Sequence, residues 1–524
     1  MLALLIAQRR PAYFLSENGR PELNALTGSY LRLLAENGHI STELKEAGLA
    51  WDVKIRDFNE NPLAVSMDTD KGALMVRTHL SGMLGKTLYD LDRMDLAAKA
   101  SLQNDLQKQV SGYLKQLNDP AFAKSVGLFG ERLLSPKRTE EVLYSFTLLE
   151  RTPHGNLVRV QTDNTDQPFD LNEGSKLELG STAKLRVLVT YLEVIAEIHE
   201  RYAGQPKAAL REALAERQDN LTKWVLQYQL RAKDRSLSAT LHAALQRRYS
   251  ANPHESFFTG GGMHTFHNFQ REDNGRTFTV HEAFLKSINL PFVRLMRDLV
   301  RYSIHQRVED SYGLLANPHD PRRREYLTRF ADREGKTFLL RFWHKYKGKD
   351  QDERFKVLLA GMRHNPVRLT TVHRFLYPET DSVSFEHFLR KRLPQEKLTH
   401  KRVMELYHGY GPDAFNLSDQ GYLSRVHPLE LWLLDYLMKN PEANWKDAVA
   451  ASQETRQEVY KWLFRTRFKR ARDSRIRTML DLDAYADLHQ RWEKLGYPFG
   501  QLVPSLATAL GSSGDRPEAL AELM

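Results

Sequence analysis

Leu177-Glu-Leu-Gly180-Ser181-Thr-Ala-Lys184-Leu-Arg-Val-Leu-Val-Thr-Tyr-Leu-Glu-Val-Ile195 is the stretch on which the reading of this chain turns. Leu185, Leu188, Val189, Leu192 and Ile195 recur at helical spacing, which predicts a strongly apolar helix over 181–202. A serine opens that helix, and Lys184 follows at i+3, so both side chains share one face. A serine hydroxyl is a poor nucleophile at neutral pH and needs a neighbouring base. A lysine held among apolar side chains has its pKa lowered toward that role. The helix start adds free N–H groups and partial positive charge near the reacting oxygen. Ser-x-x-Lys alone is a weak signal, since ordinary residue frequencies supply it by chance. Here it occurs once, and its setting at the mouth of an apolar helix raises its weight.

Working outward, 141–149 is β-rich, Pro153-His-Gly-Asn156 is a turn, and 157–161 alternates, which predicts a strand pair. Residues 205–250 read as charged helix and 252–276 as loop, with Phe257-Phe-Thr-Gly-Gly-Gly262 at its centre. A helix is predicted over 280–302, and 301–490 reads as almost wholly helical. That last span holds 35 basic against 26 acidic residues. Toward the front, 1–55 is helical, and a long polar helix is predicted over 89–117 with Leu91, Met94, Leu102, Leu106 and Val110 as its stripe. Met1-Leu-Ala-Leu-Leu-Ile-Ala7 lacks the basic start and cleavage site of a signal peptide. It reads as the inner turn of a buried helix. Glu518-Ala-Leu-Ala-Glu-Leu-Met524 has no stop signal, and the expectation is a piece of a longer chain.

The 524 residues include 41% apolar side chains and 29 glycines, enough for a sizeable core and against wholesale disorder. The net charge of +10 comes almost entirely from 301–490 and favours anionic partners without demanding nucleic acid. Cysteine is absent, which excludes disulfides, thiolate metal sites, iron–sulfur clusters and cysteine nucleophiles. No window reaches the length of apolar sequence that spans a bilayer.

The second constellation is Ser287-Ile-Asn289. A second hydroxyl beside a Ser–Lys pair can pass a proton to a leaving group, and an amide can hold a substrate carbonyl. Ser-x-Asn also occurs at Ser16 and Ser250. On spacing alone, Asn289 is better read as capping or ending a turn before Pro291.

Ser-x-x-Lys followed by Ser-x-Asn resembles the first two motifs of the penicillin-recognising serine acyltransferases. The neighbouring words extend the likeness. Leu179-Gly-Ser-Thr-Ala-Lys184 resembles the start of their active-site helix. Phe278-Thr-Val-His-Glu-Ala-Phe-Leu-Lys-Ser-Ile-Asn-Leu-Pro-Phe-Val-Arg294 resembles the second motif. Leu502-Val-Pro-Ser-Leu-Ala-Thr-Ala-Leu-Gly511, with Pro517-Glu-Ala-Leu-Ala-Glu522, is similar to the approach to the third. Ala3-Leu-Leu-Ile-Ala-Gln-Arg-Arg-Pro11 and Tyr30-Leu-Arg-Leu-Leu-Ala-Glu-Asn-Gly-His-Ile-Ser41 resemble the end of a family 51 glycosyltransferase domain. The order is that of a bifunctional, class A penicillin-binding protein.

The resemblance implies an α/β (α+β) fold of the penicillin-binding, serine β-lactamase-like transpeptidase type, incomplete at its C-terminus and carrying large helical insertions. It implies a glycosyltransferase stub over 1–55, a linker and the start of the transpeptidase domain over 56–135, and the transpeptidase core over 136–300. A helical insertion follows over 301–490, and 491–524 returns to the core. Ser181 would be the nucleophile, Lys184 its base, Ser287 a proton relay and Asn289 a substrate anchor. No metal or organic cofactor is implied. The partners implied are peptidoglycan stem peptides, β-lactams and cell-wall assembly proteins, on a membrane-anchored parent at the periplasmic face of the bacterial inner membrane. The third motif, Lys-Thr/Ser-Gly, is absent; Gly85-Lys-Thr87 and Gly335-Lys-Thr337 hold its residues in the wrong order. The chain as it stands is therefore expected to acylate weakly or not at all, for want of a carboxylate anchor and one oxyanion donor.

A carboxypeptidase or β-lactamase-like hydrolase shares both motifs and differs in what resolves the acyl-enzyme. A non-catalytic scaffold that recruits partners through the insertion is the alternative from another class. His264 and His267 have metal-like spacing without a third ligand and read better as a loop packed beside the site. Gly260-Gly-Gly262 lacks the Lys-Ser/Thr of a phosphate loop. Arg322-Arg-Arg324 and the basic run from Arg465 to Arg477 fit a solvated helix face better than a lipid or nucleic-acid patch.

Overall fold

Short antiparallel ladders and many helices build the chain, and the helices carry most of it. The structure is a computed structural model and describes all residues except 52–66, 131–132, 166, 168, 217–218, 260–261, 309–310, 412 and 466–468. Two compact units are present: Met1–Tyr144 with Val160–Asp170, and Ser145–Arg159 with Leu171–Met524. The expected 56–135 segment begins partly outside the described residues. So do the centre of the glycine run and the middle of the basic run, including Phe468.

In the first unit, helices Leu2–Ala7, Pro11–Phe14 and Arg20–Glu36 close a small core of Ile6, Ala7, Phe14 and Leu23. The opening apolar run is only half used: Ile6 and Ala7 are buried, whereas Leu4 and Leu5 are 66% and 56% exposed. The long helix predicted over 89–117 is two separate helices, Leu88–Leu91 and Asn104–Gln116. The buried face of the second carries polar side chains. Gln107 exchanges two hydrogen bonds with the backbone of Gln161, and Ser111 bonds Thr162 at 2.6 Å. This buried polar seam lies off the predicted stripe, whose Leu102, Leu106 and Val110 are only half-buried.

The second unit begins with β1 (Ser145–Thr152) and the first half of β2 (Gly155–Asp163), which form a hairpin close to the strand pair expected there. The predicted apolar helix follows as α1 (Ala183–Tyr202), entered through a 3-10 turn, Gly180–Thr182. Helices Asn220–Arg231 and Leu237–Leu245 lead to β3 (Arg248–Ser250). The segment expected as loop holds a hairpin, β4 (Ser256–Thr259) with β5 (Gly262–Thr265), and then β6 (Thr277–Thr279), which pairs antiparallel with β3. Strands of three or four residues are too short for a period of two to show.

The single helix expected over 280–302 is broken into α2 (Val280–Leu285) and α3 (Asn289–Arg307). The predicted helical span follows, including α4 (Arg322–Tyr346) and α5 (Lys469–Lys494), and α5 runs past the expected limit of 490. The largest core packs α1, α3 and the end of α5 together through Tyr191, Ile195, Leu299, Leu488 and Trp492. A separate core, with Leu339, Leu358, Leu429 and Leu463, fills the helical span. The architecture is thus a mixed α+β one, mainly helical.

Candidate active site

The turn that presents Ser181 is clamped on both sides by backbone. Leu177 and Asp515 exchange two hydrogen bonds, N to O, at 3.0 and 2.8 Å. Gly180 has φ +57°, a conformation that disfavours side chains. Gly511, at φ +99°, lies so close that a Cβ there would sit 2.6 Å from the Gly180 nitrogen. Below the turn, Arg186 is fully buried and forms an ion pair with Asp515, and it donates to the Leu495 carbonyl at 2.9 Å. A buried charge needs such a partner. Ser181 is therefore exposed on a rigid mount, and the helix proper begins two residues later than expected, at Ala183.

Ser287 occupies the break between α2 and α3. Its N–H donates to the Phe284 carbonyl, and the next N–H, of Ile288, donates to Ala283. This double closure is a Schellman motif, whose left-handed position usually belongs to glycine. Ser287 fills it with φ +52°, which turns its carbonyl and hydroxyl onto the Lys184 amine. Asn289 is the first residue of α3 and does not cap the helix. Its Nδ2 donates to the His267 carbonyl at 3.0 Å, which leaves Oδ1 facing Lys184.

All four predicted residues meet at one atom. Lys184 Nζ lies 3.1 Å from Ser181 Oγ, 3.0 Å from Ser287 Oγ, 2.6 Å from the Ser287 carbonyl and 2.8 Å from Asn289 Oδ1. The residue is 1% exposed. Burial lowers its pKa from 10.5 to about 8, and among the described residues no carboxylate touches it to oppose that. The two carbonyl oxygens can only accept. A neutral amine donates to both and keeps its lone pair for a serine proton. The arrangement thus suits a base that takes a proton from Ser181 and exchanges it with Ser287.

Other expected features fall around this centre. His267 contributes its backbone carbonyl, and His264 lies on β5. Among the described residues, no group of three or more His, Asp or Glu side chains is placed to hold a metal ion. Arg322 pairs with Asp320, and Arg323 is buried and paired with Asp473, so two of the three arginines expected on a solvated face are engaged within the fold. No described helix is long and apolar enough to cross a membrane. Sequence reasoning missed Gly511, Arg186 and Asp515 as supports of the serine. A charged Arg186 on the face that also buries Val187 and Tyr191 was the available signal.

No protein-family model, curated protein or solved structure matches this chain.

Proposed function

We propose that this chain belongs to a peptidoglycan D,D-transpeptidase of the penicillin-binding type and works through an acyl-enzyme on Ser181. The observation that carries the reading is the buried Lys184 amine in contact with Ser181, Ser287 and Asn289 at once. In this scheme Lys184 accepts the Ser181 proton as Oγ bonds to the penultimate D-Ala carbonyl carbon of a stem peptide. The tetrahedral adduct collapses, the C–N bond to the terminal D-Ala breaks, and that nitrogen takes the proton by way of Lys184 and Ser287. An acceptor amine then attacks the acyl-ester carbonyl, the ester C–O bond breaks, and the proton lost by the amine nitrogen returns through Lys184 to Ser181 Oγ. Asn289 anchors the substrate backbone. By the resemblance alone, the parent enzyme is a bifunctional, membrane-anchored protein at the periplasmic face, with stem peptides and β-lactams as ligands.

The test is covalent. Prolonged exposure to a fluorescent penicillin, followed by denaturing electrophoresis and peptide mass mapping, is expected to give slow labelling confined to Ser181. Slowness follows from the missing Lys-Thr/Ser-Gly motif. Label that persists in Ser181→Ala, or an adduct that maps to a residue other than Ser181, overturns the assignment.

A further inference from the structure

A cavity of about 720 Å³ lies between α3, α5 and the β4–β5 hairpin. That volume falls in the range of small-molecule sites. One wall is apolar, with Phe257, Phe258 and Met263 from the hairpin, Val300 and Ile304 from α3, and Leu480 from α5. The other carries Arg297, Arg301 and Arg477 with Glu255 and Asp481.

The charges do not cancel locally. Glu255 is engaged by Arg294 and Arg297. Arg301 and Arg477 form no ion pair among the described residues, and both are exposed. Two donors are orphaned: the buried Nε of Arg297, and the hydroxyl of Tyr485, a cavity-lining residue only 4% exposed. An unpartnered buried hydroxyl costs free energy that a ligand acceptor would recover. Asp481 stands near Arg301 and Arg477, and burial raises its carboxyl to about 7 against their pull.

We propose that this cavity binds a small amphiphilic anion, with its apolar body against Phe257, Phe258 and Leu480 and its anionic group on Arg301 and Arg477. Tyr485 donates to an acceptor on the buried part. Asp481 is the competing anion, so removing its charge tightens binding. Nothing in this proposal depends on Ser181.

The test uses the full chain and a matched pair of probes: 8-anilinonaphthalene-1-sulfonate, and N-phenyl-1-naphthylamine, which lacks only the sulfonate. Fluorescence titration is expected to show saturable one-to-one binding of the sulfonate. The double substitution Arg301→Gln, Arg477→Gln weakens it about tenfold or more and leaves the neutral probe nearly unchanged. Asp481→Asn strengthens sulfonate binding several-fold. The proposal fails if the sulfonate does not saturate, if the double substitution affects both probes alike or neither, or if Asp481→Asn weakens the sulfonate.

Discussion

Ser287 holds a left-handed backbone conformation that costs a residue with a Cβ about 1 kcal/mol and costs glycine nothing comparable. Its hydroxyl and carbonyl both reach Lys184, so the side chain has a use that glycine lacks. Ser287→Gly is accordingly expected to match or exceed the parent in melting temperature while slowing penicillin labelling roughly a hundredfold. Ser287→Ala should slow labelling equally without the gain in stability. Unchanged labelling in both variants would remove the hydroxyl from the reaction. Lys184 supplies a second expectation. Only its neutral form accepts a proton, and its pKa is lowered to about 8, so the labelling rate should climb with pH up to about 8 and then level off. A profile still rising steeply toward 10.5 would mean an amine with its ordinary pKa. Both the Ser–Lys pair and the second serine were legible as residue types. The positive φ at Ser287 was not, because no Gly stands there, although the turn read before Pro291 does mark where α2 gives way to α3.

Among the elements, the 3-10 turn Leu506–Leu510 and the glycine after it decide where Ser181 stands. Gly511→Ala meets two obstacles, a positive φ and the backbone of Gly180. A loss of about 1–3 kcal/mol is expected, with labelling of the remaining folded protein reduced further because the serine turn must shift. Gly514→Ala is the control. It also has positive φ, but its new methyl meets mainly the flexible Lys176 side chain, so stability should fall while labelling of the folded fraction persists. Equal labelling in the two variants would show that the Gly180–Gly511 approach does not position the serine. Helix α1 was readable as a helix from Leu185, Leu188, Val189, Leu192 and Ile195, but of these only Ile195 is buried, and the buried face runs instead through Val187, Tyr191, Val194 and Ile198 with Lys184 and Arg186. The β4–β5 hairpin was hidden by its shortness and its glycine-rich centre, and Asn104–Gln116 was read as part of a longer helix because the polar side chains on its buried face did not mark it off.

Over the whole molecule, the core that seats α1 and α3 and the core within the helical span share no buried residue. Separate cores tend to open as separate units. Hydrogen exchange under rising denaturant is expected to release amides in Ala331–Leu463 at a different concentration from those of α1 and α3. A common midpoint for both sets would instead make the second unit one cooperative block.

The ion pair of Arg186 with Asp515 joins positions 329 residues apart. During synthesis the serine leaves the ribosome long before the carboxylate that secures its mount. At ordinary elongation speeds the interval is roughly 15–70 s. The nascent chain thus carries an unarmed hydroxyl throughout that interval, and the reactive geometry is completed only once Asp515 has emerged.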